Sequence, residues 1–273
     1  MSIPLEDNVS DIIGKAQRGL AVSDSQVAER SGISAEKMRK LRDGEFEDDA
    51  LDRVAPVLKL DPTALRKLAA GKWDPEMVGE IEGLAQFNTT YHDMTVNAYL
   101  IWDPNAGEAV AFDTGADCSE MLQCIEERRL KVKLILLTHA HPDHVADLGR
   151  LRKATAAPVY ISKLEAEGGM EAIAEGKRFR AGCLEIEARL TSGHSPGGMT
   201  YVVTGLSRPI AIVGDSLFAG SMGGGNVSYE DALRNNREKI LTLPDETVIC
   251  PGHGPMTTVG EEKAHNPFFV GRV

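Results

Sequence analysis

The sequence predicts an α/β or α+β sandwich preceded by a small all-helical domain. Three observations point there. The first 72 residues read as short, capped helices. From about residue 80 the texture changes to short apolar strands separated by turns, with helices between them. Ligand-type side chains then recur just past the ends of those strands.

The helical part starts with an amphipathic stretch, Asn8 to Arg18. Ser23 with Gln26 forms a capping box that opens residues 26–32, and Gly32 stops that helix. Ser34 caps AEKMRKLRDG, which Gly44 ends. Residues 48–60 carry another apolar period, and Asp61 with Pro62 starts a last helix closed by Gly71. Two short helices joined by SGIS make a helix-turn-helix pattern. These signals divide the chain into a helical domain (1–72), a linker (73–79, within KWDPEM and beyond) and a second domain (80–273). In the second domain strands are expected at 95–102, 108–113, 132–138, 158–162, 183–190, 199–205, 209–215 and 247–250. Helices are expected at 119–129, 163–175 and 229–241, the last capped by Ser228 with Asp231.

Composition narrows the function classes. With 273 residues, 42% of them hydrophobic, the chain can bury a sizeable core. A net charge of −11 argues against a surface devoted to nucleic acid or anionic membrane. No apolar run approaches the roughly 18 residues a bilayer span needs, and MSIPLEDNVSD lacks the basic start and apolar core of a secretory signal. Cys118, Cys124, Cys183 and Cys250 have no framework spacing, so a reduced, cytoplasmic protein is expected. Each reads as a small buried hydrophobe; Cys250 stands out because it lies three residues before His253.

The chemistry centres on THAHPDH (138–144), which uses three of the seven histidines. KVKLILL before it reads as a buried strand, and the helical spacing returns from Ala146, so the motif occupies a strand-to-helix loop. His139 and His141 alternate by two and would point the same way from an extended backbone. Asp143 and His144 follow as the chain turns. Imidazole and carboxylate suit zinc, and also manganese and iron. Downstream, His194 in SGHSPGG, Asp215 after PIAIVG and His253 in CPGHGP each follow an apolar strand. Five of seven histidines in such places point to a metal site; His92 and His265 are left without a role.

In order, LLTHAHPDH, TSGHSPGG, VGDSLF and PGHGP resemble the metal motifs of the metallo-β-lactamase superfamily. FDTG (112–115) is similar to its strand-end aspartate turn and NAYLI to its first strand. The resemblance covers roughly residues 80–273 and implies an αββα sandwich with a two-metal site at one edge. It implies that His139, His141 and His194 hold one metal, that Asp143, His144 and His253 hold the other, and that Asp215 bridges them. Asp113 would support the motif loop without binding metal. Two divalent ions, zinc before iron or manganese, would share and acidify a water, with Asp143 taking its proton.

An aspartate at 215 and the tail PGHGPMTTVGEEKAHNPFF look like the short type of glyoxalase II, which implies a thioesterase acting on an acyl thioester. A lactonase or another hydrolase of the superfamily is the alternative. SQVAERSGISAEKMRKLRDG, with LDRVAPVLKLDPTALRKL after it, resembles the phage-repressor helix-turn-helix. That resemblance implies DNA contacts by Lys37, Arg39, Lys40 and Arg42 from the helix at 34–43. Residues 1–75 nevertheless carry 12 basic against 14 acidic side chains, which disfavours phosphate binding. A homodimer formed through this domain, or a regulator whose metal domain senses a metabolite, are the other expectations.

Overall fold

A computed structural model describes residues 3–272. Five helices come first: α1 (Val9–Leu20), α2 (Asp24–Ser31), α3 (Ala35–Arg42), α4 (Asp48–Val57) and α5 (Pro62–Ala69). Their ends are where side-chain chemistry puts them. The side chains of Asn8, Ser23, Ser34 and Asp61 each accept a backbone N–H of the following first turn. Gly32 closes α2 in the left-handed conformation.

Two six-stranded sheets follow. The first runs β1 (Leu84–Tyr91), β2 (Met94–Trp102), β3 (Glu108–Phe112), β4 (Lys131–Leu136), β5 (Val159–Ser162), β6 (Glu171–Ile173). The second has the spatial order β12 (Thr257–Thr258), β11 (Val248–Pro251), β10 (Ile210–Gly214), β9 (Met199–Thr204), β8 (Leu184–Leu190), β7 (Arg178–Ala181). Helices α6 (Ser119–Glu127), α7 (Pro142–Val145), α8 (Leu148–Thr155) and α9 (Tyr229–Asn235) lie between strands, α10 (Val259–His265) follows β12, and a π-helical turn, Asn236–Ile240, extends α9.

Side-chain alternation decides the layers. Val110 and Phe112 of β3 face the second sheet, in one cluster with Tyr201, Ile212 and Val248. Ala109 and Ala111 face the other way, with Met121 and Leu151 beneath α6 and α8. Strands buried on both faces read as continuous apolar runs, and the sequence of these strands carries that signature. On the far side of the second sheet, Ala211, Val213 and Ile249 share a single apolar cluster with Ile12, Ile13, Met38, Leu51, Phe268 and Phe269. The five N-terminal helices thus help to cover that sheet. In the expected linker Trp73 is buried, with its ring 5.5 Å from that of His265.

Two expectations about the elements need correction. Residues 163–175 hold turns and β6 instead of a helix, because Gly168 and Gly169 both take positive φ, at 47° and 82°. The first strand is β1, and NAYLI belongs to β2. β1 (LAQFNTTY) is a polar edge strand, and only its hairpin partner makes it recognisable.

Glu262 of α10 is fully buried and accepts hydrogen bonds from Thr257 Oγ1 (2.9 Å), Asn266 Nδ2 (2.7 Å) and the Gly220 backbone (3.1 Å). Burial pushes its carboxyl up to about 8. The folded state therefore keeps a proton that the unfolded chain sheds near its ordinary value of 4.5. Stability from this group is full below that value and drains away as pH rises to about 8, by about 1.4 kcal/mol per pH unit. Glu262→Gln should flatten this slope, so denaturation midpoints of the two proteins should diverge steadily from pH 5 to 8. Parallel curves would contradict the assignment.

Candidate metal centre

The seven ligand-type residues converge at one edge of the sandwich, where strands of both sheets end. His139 follows β4, His194 follows β8, Asp215 follows β10 and His253 follows β11. β10 and β11 run parallel, so Asp215 and His253 leave the sheet side by side. His141 caps α7 from an extended backbone (φ −64°, ψ 143°), and Pro142 starts the helix that buries Asp143 and His144.

Two groups form. Imidazole nitrogens of His139, His141 and His194 meet a carboxylate oxygen of Asp215, and beside them stand Asp143, His144 and His253. His141 Nδ1 lies 3.0 Å from His139 Nε2 and 3.0 Å from His194 Nε2. His194 Nε2 lies 3.2 Å from Asp215 Oδ2. In the other group Asp143 Oδ2 is 3.4 Å from His144 Nε2 and 3.3 Å from His253 Nε2. Asp215 reaches this group too, with Oδ1 3.3 Å from His144 Nε2 and Oδ2 3.5 Å from His253 Nε2.

These separations fit metal binding. Ligand atoms about 2.0–2.1 Å from a tetrahedral centre lie about 3.3 Å from one another. One nitrogen cannot hydrogen-bond to two other imidazole nitrogens through protons alone, but all three can donate to a cation. Among the described residues, His144 Nε2 and Asp215 Oδ1 are buried with no hydrogen-bond partner, a costly state for polar atoms that a metal ion would relieve. The backbone also leaves room. A Cβ at Gly252 would run into Asp215 Oδ1 and His144 Cε1.

The outward nitrogens are held in turn. His144 Nδ1 is 2.9 Å from Asp113 Oδ2, His139 Nδ1 is 3.0 Å from Thr138 Oγ1, His194 Nδ1 is 3.1 Å from Gly224 O and His253 Nδ1 is 2.6 Å from Thr95 O. Such partners fix ring orientation and the nitrogen that is free to bind. Asp113, at φ 55°, also accepts from Thr138 N (2.7 Å) and Thr138 Oγ1 (2.8 Å), which ties the start of the histidine loop to His144.

Electrostatics agree with a site built for positive charge. Burial opposes charge on His144, yet Asp215 and Asp113 raise it to about 10. Burial likewise opposes charge on His253, which Asp215 and Asp143 carry to about 11. Burial alone would raise Asp215, but His144 and His253 hold its carboxyl well below the usual range. Burial, then the neighbouring His144, drives His139 down and keeps it neutral. Cys250 lies between the sheets, its thiol pushed far up by burial, and is no part of the centre.

Several contributors went unnoticed in the sequence. Asn97 pins the His253 loop by donating to Pro251 O (3.0 Å) and Gly254 O (2.8 Å), and a polar residue inside TVNAYLIW was its signal. Glu165 touches two ligand loops from a segment whose composition suggests a helix. The N-terminal segment reaches the site as well. Glu6 N lies 3.1 Å from where a Cβ on Gly254 would be, and Asp7 takes hydrogen bonds from Lys15 and Ser221. Lys15 Nζ sits 4.9 Å above the Phe218 ring, which is 5.7 Å from the His253 ring. Nothing outside the motifs signals these contacts.

The residues expected to touch DNA lie on α3. Lys37 pairs with Glu47 at 2.7 Å, and Arg42 Nη1 donates to Ser10 O at 2.7 Å. Arg39 is exposed and Lys40 half-buried.

Comparison with known proteins agrees with the geometry. Residues 93–253 match the model of the metallo-beta-lactamase superfamily, a span that begins beyond α5. The probable metallo-hydrolase YqgX of Bacillus subtilis is 35% identical over 201 residues, 64% of this chain and 92% of that protein. Hydroxyacylglutathione hydrolase GloC of Haemophilus influenzae is 31% identical, over 63% of this chain and 92% of its own. The crystal structure of TTHA1623 in a di-iron-bound form superposes with a TM-score of 0.56 at 29% identity, over 67% of this chain and 100% of that one.

Proposed function

The chain belongs to the metallo-beta-lactamase superfamily as a metallo-hydrolase, and on that premise we propose that it is a dinuclear thioesterase of glyoxalase II type. The observation that carries the reading is the complete pair of ligand groups meeting at Asp215. Similarity to a named hydroxyacylglutathione hydrolase supports the thioester class. His139, His141, His194 and Asp215 would hold one ion, and Asp143, His144, His253 and Asp215 the other. Five imidazoles and two carboxylates accept zinc, iron or manganese, and zinc is taken as the working ion. Bound there, the two ions supply a water acidified toward neutrality and a positive charge against the substrate carbonyl oxygen.

The chain's own groups do the rest. Asp143 Oδ2 is turned to His144 and His253. Its Oδ1 makes no hydrogen bond among the described residues, so it is the atom that takes the proton lost by the attacking water and returns it to the leaving thiolate. Asp113 and Thr95 O keep His144 and His253 presenting Nε2 inward. Phe218, packed edge-on to His253 beneath Lys15, shields that side from bulk water. No serine or cysteine nucleophile is needed.

The test is steady-state hydrolysis of S-lactoylglutathione by protein loaded with two equivalents of zinc. A kcat/KM of about 10⁴ M⁻¹s⁻¹ or more is expected, the range of ordinary enzymes on their own substrates. No turnover by fully loaded protein, with hydrolysis of other thioesters retained, would reject the glutathione thiol. No turnover of any thioester would reject the class.

A further inference from the structure

We propose that Glu165 is a positioning residue for one half of the metal centre: its carboxylate clamps the loop bearing His139 and His141 to the loop bearing His194. The inference rests on the metal-centre reading above. Glu165 Oε2 accepts from Ala140 N at 2.7 Å, and Oε1 accepts from Gly197 N at 2.7 Å. Ala140 is the residue between two ligands of the same group, and Gly197 lies three residues past the third. One carboxylate therefore sets the spacing of the two backbones that bring three imidazoles together. Hydrogen bonds from N–H groups to an ionised carboxylate are about twice as strong as neutral ones.

The clamp is itself held. Glu165 N donates to Ser162 O (2.9 Å), Leu164 N to Ser162 Oγ (3.3 Å) and Lys163 N to Ile173 O (2.8 Å), which fixes the turn to the ends of β5 and β6. The Gly197 loop approaches so closely that a Cβ there would lie 2.8 Å from Ser162 Cβ and 3.0 Å from Glu165 Cγ. His139 and His194 also have ring partners in Thr138 and Gly224. His141 has none on its outer nitrogen among the described residues, so its aim depends on the backbone at Ala140, the very amide that Glu165 holds.

The other group is supported from elsewhere. Asp113 holds His144, Thr95 O holds His253, Asn97 pins the His253 loop and Thr114 N donates to His144 O at 2.8 Å. None of these contacts involves Glu165. The consequence is asymmetric: loss of the clamp should weaken the three-imidazole group and spare the Asp143–His144–His253 group.

Zinc affinity measured in the full chain by competition with a chromophoric chelator tests this without any substrate. In a His253→Ala background, which leaves the three-imidazole group intact, Glu165→Ala should weaken zinc binding about 10–100-fold, the usual cost of losing an outer partner. In a His194→Ala background the same change should leave affinity unaltered. Glu165→Gln keeps the shape but swaps one acceptor oxygen for an NH2 that faces an amide N–H; it should give the same selectivity with a smaller effect, and serves if the alanine variant does not fold. Equal weakening in both backgrounds, or none in the first, would overturn the proposal while two zinc ions still bound to the wild type. Wild-type protein that takes up no zinc would overturn the metal reading and this inference with it.

Discussion

Replacing Asp215 by alanine should remove at least one of two bound ions and lower kcat/KM about 10³-fold or more, since several kcal/mol of charge stabilisation rests on the intact pair. The expectation follows from position. The Asp215 carboxylate reaches both ligand groups, with Oδ2 near His194 and His253 and Oδ1 near His144. Its loss would also leave His144 and His253 without the carboxylate that most favours their charged forms. Truncating one partner of such a buried cluster typically costs about 3–5 kcal/mol. Asp215→Asn, of nearly the same shape, separates packing from charge: it should fold better than the alanine variant yet remain nearly as inactive. An Asp215→Ala protein that keeps two ions and activity within tenfold of wild type would contradict the bridging role. Ion content and rate, measured on the same sample, settle the matter together.

Stripping the metals should lower the melting temperature sharply. Ions present at about a thousandfold above their dissociation constant add about 4 kcal/mol each to the folded state. For a domain of this size each kcal/mol moves Tm by about 2–4 °C, so removal of one ion should cost about 8–16 °C. The structure says where that loss is felt. Without a cation, His144 Nε2 and Asp215 Oδ1 stay buried with no hydrogen-bond partner among the described residues. His139, His141 and His194 crowd their nitrogens together with only Asp215 to balance them. Calorimetry in chelator, and again after zinc is restored, checks this. Identical melting curves from protein shown to have lost its ions would mean that the residues are prearranged without need of metal.

What could be read in the sequence has a physical pattern. The seven ligand residues sit in short loops directly after apolar strands, so strand and motif were visible in one window. The cap residues Ser23, Ser34 and Asp61 act within three positions of themselves; α3 and α5 begin where expected, and α2 begins two residues earlier, directly after its cap. Contacts that span the chain left no such trace. His253 leans on the carbonyl of Thr95 and His194 on that of Gly224, and a backbone oxygen carries no residue signature. Lys15 reaches Met222 O across more than 200 positions, so the approach of the N-terminal segment to the site emerges only on folding. Glu165 was hidden for a different reason. Its segment, KLEAEGGMEAI, has the composition of a helix, but two glycines in the left-handed region turn it back to pair as β6. The polar edge strand β1 lacked the apolar run that marked its neighbours.

The helical segment gains a different weight from the same contacts. Its apolar side joins the cluster over the second sheet, and its first residues press on the loop of His253. Among the basic residues of α3, Lys37 and Arg42 already have partners within the protein. Covering the sheet and walling the site are thus roles visible in the fold itself.

Two ions held by these seven residues would be what makes the chain a hydrolase. The most direct measurement counts zinc per chain while thioester hydrolysis is followed through chelation and stepwise re-addition. No activity is expected at zero equivalents and full activity at two, with loss of either ligand group abolishing the second step. Turnover that persists in metal-free protein, or saturates with no ion bound at Asp215, would contradict it.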